Sequence, residues 1–241
     1  MKPPRSLRGN IPSTSQVLNA AAAKLEAQGR KVLRMHIGAP STGAPKAAIE
    51  AAIKAEYDDI LGYTSAQGLM PLRERIAQHY DGQYGVQINP ERVVVTVGAS
   101  MALVAGAVAC LEVGDKFCLP YPAYPAYEHT LKMLGVEPFG FSTSLENGFQ
   151  ARVSDLEQLE TKPKAFIVAS PSNPGGTILP EDELKKIAEY CESHGIQLFS
   201  DEIYHGIEYD GEKTQTALKF SDNAIVINSF SKYFSMPGWR I

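Results

Sequence analysis

Apolar and polar positions fall into two textures along this chain, with the change near Arg92. Up to Tyr84 the apolar residues recur at helical spacing. Ser15 to Gln28 reads as a helix stopped by Gly29, Pro45 to Tyr57 as a second with proline near its start, and Leu69 to Tyr84 as a third that runs out at Gly85. The loop Gly62-Tyr63-Thr64-Ser65 lies between the last two. From Arg92 onward, short apolar runs alternate with amphipathic stretches, the pattern of an α/β fold with a mostly parallel sheet and helices on both faces. The candidate strands are Arg92 to Val97, Lys116 to Leu119, Val136 to Phe141, Ala165 to Ala169, Ile196 to Ser200 and Ala224 to Asn228. A helix of small residues, Met101 to Leu111, follows the first of them. The clearest helix begins near Pro180 and places Leu184, Ile187, Ala188 and Cys191 on one face. Its first turn carries Glu181, Asp182 and Glu183, which suits the positive end of a helix dipole.

Composition narrows the partners. The 241 residues are 44% hydrophobic, enough to bury a core, and carry a formal charge of -4, which offers no basic footprint for nucleic acid or an anionic membrane. No run approaches the roughly 18 apolar residues of a membrane span, so no membrane partner is expected. The basic start Met1-Lys2-Pro3-Pro4-Arg5 is not followed by the apolar stretch of a secretory signal, which makes the cytoplasm the expected location. The three cysteines, Cys110, Cys118 and Cys191, sit inside apolar segments and read as buried reduced thiols; the five histidines show no metal-ligand spacing.

In open α/β sheets ligands bind beyond the carboxyl ends of strands, and those positions here are chemically distinctive. Val97 leads into Gly98-Ala99-Ser100 and a helix start, where backbone N–H groups and a hydroxyl point at an anion, although a glycine before a helix is also an ordinary tight turn. Leu119 leads into Pro122-Ala123-Tyr124-Pro125-Ala126-Tyr127, a rigid loop that offers tyrosine rings to a ligand or to a domain edge. Ala169 leads into Ser170-Pro171-Ser172-Asn173-Pro174-Gly175-Gly176-Thr177, where Asn173 is either an amide donor or part of a turn. Asp201 ends an apolar strand, so its charge needs a cationic partner, a ligand or an arginine. Lys232, in Ser229-Phe230-Ser231-Lys232, stands among hydroxyls and aromatics that can desolvate an amine and favour its nucleophilic form. An anion cradle, an aromatic platform, an amide donor, a buried carboxylate and a lysine at one sheet edge are the set that a phosphorylated pyridine aldehyde needs.

Three segments carry a family resemblance: Asn173-Pro174-Gly175-Gly176, Asp201-Glu202-Ile203-Tyr204, and Ser229-Phe230-Ser231-Lys232 with Met236-Pro237-Gly238-Trp239-Arg240. In order and spacing the chain resembles the fold-type I, pyridoxal-phosphate-dependent aminotransferases of class I/II, from Gly38 to Ile241. The resemblance implies pyridoxal 5′-phosphate as cofactor, an L-amino acid and a 2-oxo acid as substrates, and a homodimer. It implies that Lys232 forms the Schiff base and moves the proton, that Asp201 pairs with the pyridinium nitrogen, and that Tyr204 and Asn173 bind the ring's phenolic oxygen. Tyr124 matches the residue that stacks on the ring. Ala99, Ser100, Ser229 and Arg240 match the phosphate site, Gly38 and Asn173 lie toward the substrate carboxylate, and Tyr63 matches a tyrosine that reaches the neighbouring subunit's phosphate. Residues 1–44 correspond to the N-terminal segment of a small domain and 45–241 to the cofactor-binding large domain, incomplete at its C-terminal end.

The chain departs from the family where it stops at Trp239-Arg240-Ile241, short of a further strand and the arginine that grips the substrate carboxylate, so it reads as an N-terminal fragment of low stability and weak activity. Gly175 stands where the family often has threonine. Two rivals share the cofactor: a carbon–sulfur lyase of the same fold, and a non-catalytic ligand-sensing domain, against which the lack of a helix-turn-helix or basic arm ahead of Gly38 argues. A nucleotide-dependent oxidoreductase is disfavoured, since no G-x-G-x-x-G or G-x-x-x-x-G-K-[ST] occurs.

Overall fold

The computed structural model describes residues 14–209 and 211–241. The basic start of the chain and the first part of the 1–44 segment therefore lie outside the described residues. Seven α-helices are described: α1 (Thr14–Glu26), α2 (Lys46–Asp58), α3 (Met70–Tyr84), α4 (Ala99–Cys110), α5 (Pro125–Leu134), α6 (Val153–Glu157) and α7 (Glu181–Ser193). Five strands, β1 (Lys116–Tyr121), β2 (Glu137–Ser142), β3 (Ala165–Ala169), β4 (Gln197–Asp201) and β5 (Ile225–Ile227), form one sheet in the order β2-β1-β3-β4-β5. Every pairing in it is parallel.

Strand alternation explains both faces. Phe117, Leu119, Ala165, Ile167 and Phe199 point to one side and pack with Leu103 and Ala107 of α4 and Leu131 of α5. Their neighbours Cys118, Phe166, Val168 and Leu198 point to the other side and pack with Leu184, Ile187, Ala188 and Cys191 of α7. Both sides of the sheet are thus covered, and period-two runs apolar at every position result. Gly106 lets α4 approach closely, because a Cβ there would lie 2.9 Å from the Phe199 ring.

Two expectations need correction. Arg92 to Val97 is not a strand: no strand lies beside it among the described residues, Val94 and Val97 are 54% and 65% exposed, and Val95 N–H reaches only the Gln67 carbonyl, at 2.9 Å. A β-branched run needs a ladder partner, and propensity alone does not supply one. The tyrosine loop after β1 is also shorter than expected, since Pro125 opens α5 as its first residue and carries Tyr127 into the helix.

The chain runs from β1 outward to β2 and then back to β3 on the opposite side of β1. The carboxyl ends of β1 and β3 therefore diverge, which opens a crevice at the reversal point.

Candidate active site

The crevice is lined by Pro122, Tyr127, Gln150, Ala169, Ser172 and Asn173. Asp201, at the end of β4, is 8% exposed. Its Oδ1 accepts the Ile203 N–H at 3.2 Å and its Oδ2 accepts the Tyr127 hydroxyl. Burial pushes the carboxyl upward, while the two hydrogen bonds act against that shift. Among the described residues no lysine or arginine pairs with it, so the structural salt bridge is not what holds Asp201 in place.

Around that carboxylate the other candidates gather. Asn173 Nδ2 donates to the Tyr204 hydroxyl at 3.3 Å. Burial, reinforced by the Asp201 charge, raises the Tyr204 phenol above its ordinary value. Lys232 Nζ lies 5.7 Å from the centre of the Tyr204 ring and donates to the Gly38 carbonyl at 2.7 Å. Partial burial lowers the Lys232 ammonium below its ordinary value, which enlarges the neutral fraction able to attack a carbonyl. Tyr124, just ahead of α5, meets Tyr127 edge-on with ring centres 5.5 Å apart.

The expected anion cradle falls at the start of α4. Gly98 takes φ +73° there, open to glycine but strained for other residues, and the first turn has no side-chain cap. The Arg240 guanidinium occupies the space beside it, so that a Cβ on Gly98 would sit 2.1 Å from Nη2. Arg240 Nη1 is held by the Pro237 carbonyl at 2.9 Å. Ala99 and Ser100 begin the helix with N–H groups that precede its first complete turn. Ser229 Oγ is 2.7 Å from both the Ser231 Oγ and the Ile241 carbonyl, so here the hydroxyl engages its own segment. Tyr63 stands apart, fully exposed at 110%, without an intrachain hydrogen bond among the described residues.

Three features escaped the sequence reading. Tyr127 was only one ring of a loop; the signal was Pro125 as a helix start, which puts Tyr127 three residues after Tyr124. Glu202 is buried behind Asp201 and accepts from Ala217 N–H, Thr216, Ser200 and Tyr80 at 2.9, 3.0, 3.1 and 3.3 Å. Tyr80 in turn accepts from Asn228 Nδ2 at 3.1 Å, which ties α3 to the segment leading to Lys232. Gln150 donates to the Thr177 carbonyl at 2.7 Å and the Ala169 carbonyl at 3.2 Å, bracing the loop that bears Asn173.

Among the described residues no helix is long and apolar enough to cross a membrane, and no group of three or more His, Cys, Asp or Glu is placed to hold a metal ion. The family model for aminotransferase class I and II matches residues 30–241. The chain is 37% identical over 239 residues to a valine–pyruvate aminotransferase of Mycobacterium tuberculosis, covering 98% of this chain and 61% of that protein. It is 34% identical over 246 residues to an aspartate aminotransferase of Geobacillus stearothermophilus, covering 100% and 63%. A crystal structure of an aminotransferase from Mycobacterium tuberculosis superimposes with a TM-score of 0.94 at 36% identity, covering 98% of this chain and 61% of that one. Aspartate aminotransferase from Thermus thermophilus with maleate gives 0.90 at 30% identity, covering 95% and 60%. The chain spans about three-fifths of the length of these relatives. With the sheet, the crevice and the matched span in agreement, the chain belongs to the class I and II aminotransferases.

Proposed function

We propose that this chain is the cofactor-binding part of a pyridoxal-phosphate-dependent aminotransferase that moves the amino group of an L-amino acid to a 2-oxo acid. The observation that carries the reading is the convergence of Lys232, Asp201, Asn173 and Tyr204 at the carboxyl edge of one parallel sheet, with Arg240 against the Gly98 turn. The residues fit the cofactor at both ends. Gly98, with no Cβ, makes room for the Arg240 guanidinium beside the uncapped start of α4, which puts a cation next to free N–H groups, and Asp201 is a buried carboxylate with hydrogen-bonding capacity left for a cationic ring nitrogen. Bound there, the cofactor supplies an aldehyde that exchanges with substrate amine and a ring that takes up the electron pair released at the substrate α-carbon.

The chain's own residues divide the remaining work. The N–H groups of Ala99 and Ser100, their neighbour Arg240 and the hydroxyl of Ser100 would hold the phosphate, joined by the Ser229 hydroxyl once it gives up its bond to the Ile241 carbonyl, with charge-assisted bonds worth about 1.5–3 kcal/mol each. That anchor keeps the cofactor in place while Lys232 is free. Lys232 Nζ, lowered toward its neutral form by burial, would be the amine that holds the cofactor's aldehyde and, once displaced by substrate amine, the base that takes the proton from the substrate α-carbon. Asp201 keeps the ring nitrogen protonated, and Asn173 and Tyr204 hydrogen-bond the phenolic oxygen. Tyr124 stacks on the ring. Gly38, whose carbonyl touches Lys232, and Asn173 border the substrate carboxylate.

The full exposure of Tyr63 supports a role at the neighbouring subunit's phosphate and hence a homodimer. The same reading assigns residues 1–44 to the small domain and 45–241 to the large one. Three free cysteines accord with the reducing cytoplasm. The test is substrate turnover with a panel of amino acids: oxo acid beyond one equivalent per site should appear only when an acceptor 2-oxo acid is supplied. Ammonia released without an acceptor would instead assign a lyase.

A further inference from the structure

We infer that Tyr127 is the positioning residue of this site, fixing at once the carboxylate that pairs with the cofactor's ring nitrogen and the tyrosine that stacks on its face. The inference rests on the cofactor reading above. Tyr127 is 6% exposed, in the first turn of α5, and its hydroxyl donates across the sheet edge to Asp201 Oδ2. The same ring meets Tyr124 at an interplanar angle of 86°, the edge-to-face arrangement that aromatic pairs prefer. One side chain therefore links the two groups that must present themselves to opposite features of the same ring, its edge and its face.

Asp201 needs such a partner. An ionised carboxylate is acceptor-only, with about four lone-pair sites. The Ile203 N–H fixes Oδ1 from the chain's own turn, and without Tyr127 the other oxygen would have no donor among the described residues. A buried carboxylate in that condition retains protons more strongly. The proton shared with a ring nitrogen then moves toward the carboxylate, and the ring loses the positive charge that makes it an electron sink. Tyr127 keeps its own proton throughout, because burial first and the Asp201 charge second push its phenol well above the ordinary value. It acts as a permanent donor.

The experiment compares the wild-type protein with Tyr127→Phe, which keeps the ring and its contact with Tyr124 but removes the hydroxyl. Both are loaded with pyridoxal phosphate labelled with 15N in the ring, and the ring-nitrogen resonance and the cofactor dissociation constant are measured at one pH, with circular dichroism confirming that both are folded. The expected result is a resonance displaced toward the unprotonated position together with weaker cofactor binding, because the carboxylate pairs less well with the ring nitrogen once its other donor is gone. On an Asp201→Asn background the same substitution should add little, since the effect passes through that carboxylate. A resonance and affinity equal to wild type in Tyr127→Phe overturn the inference and leave the function standing. Failure of the wild type itself to take up cofactor overturns both.

Discussion

Replacing Glu202 with glutamine should make stability newly sensitive to acid. Burial raises Glu202 from an ordinary 4.5 to about 7 and lowers its neighbour His205 from 6.5 to about 4, and the facing Oε2 and Nδ1 atoms are 3.7 Å apart. Tyr84 holds His205 Nδ1 at 2.7 Å from the other side. A raised carboxyl favours the fold below its unfolded value and loses that contribution as pH rises through 7. A lowered imidazole does the opposite, favouring the fold above 6.5 and losing it as pH falls toward 4. Between pH 5 and 6.5 the folded pair keeps one proton on Glu202, the unfolded pair keeps one on His205, and the two slopes cancel. Glu202→Gln removes only the first. The amide can still accept from Ala217, Thr216 and Ser200, so packing is retained, while His205 is left to act alone.

At 1.36 kcal/mol per pH unit across the 1.5 units from 6.5 down to 5, the variant should lose about 2 kcal/mol relative to wild type on going from pH 7 to pH 5. For a chain of this size that is a fall of roughly 4–8 °C in Tm. Thermal unfolding followed by circular dichroism at the two pH values reads the difference directly, and groups common to both proteins, such as Glu208 and His79, drop out of it. Parallel pH dependences would refute the reasoning, as would a wild type more acid-sensitive than the variant.

Three further outcomes follow from the same geometry. Arg240→Ala should weaken pyridoxal phosphate binding by about tenfold to a hundredfold, measured by fluorescence titration of the apoprotein, since it removes a charged donor from the cradle at Gly98. Gln150→Ala leaves the Ala169 and Thr177 carbonyls without their amide donor and should cost about 1–3 kcal/mol in urea unfolding. Gly106→Leu forces a side chain against Phe199 and Ile225, where even a Cβ would come within 2.9 Å and 3.2 Å, and should destabilise by about 1–3 kcal/mol or more in the same assay.

What was legible in the sequence followed from periodicity. Strands buried on both faces read as apolar runs, and α7 announced itself through Leu184, Ile187, Ala188 and Cys191 together with its acidic first turn. The loops beyond β1, β3 and β4 were equally legible, because proline, glycine and lone charges at strand ends are uncommon without a reason. Arg92 to Val97 misled because local β propensity says nothing about whether a neighbouring strand exists. The contacts that organise the site stayed hidden for a related reason. Tyr127 and Asp201 are 74 residues apart, Tyr80 and Glu202 are 122 apart, and Lys232 and Gly38 are 194 apart, so only the folded sheet brings them together. Spacing reveals which residues share a face; it does not reveal which hydroxyl meets which carboxylate.

The assignment of Lys232 as the amine that would hold the cofactor can be tested by borohydride reduction of the protein with pyridoxal phosphate, followed by peptide mass spectrometry. Lys232 alone should carry a reduced pyridoxyl group, and the visible absorbance band should be lost in Lys232→Ala. A pyridoxyl group on another lysine, or a band that survives in Lys232→Ala, would contradict it.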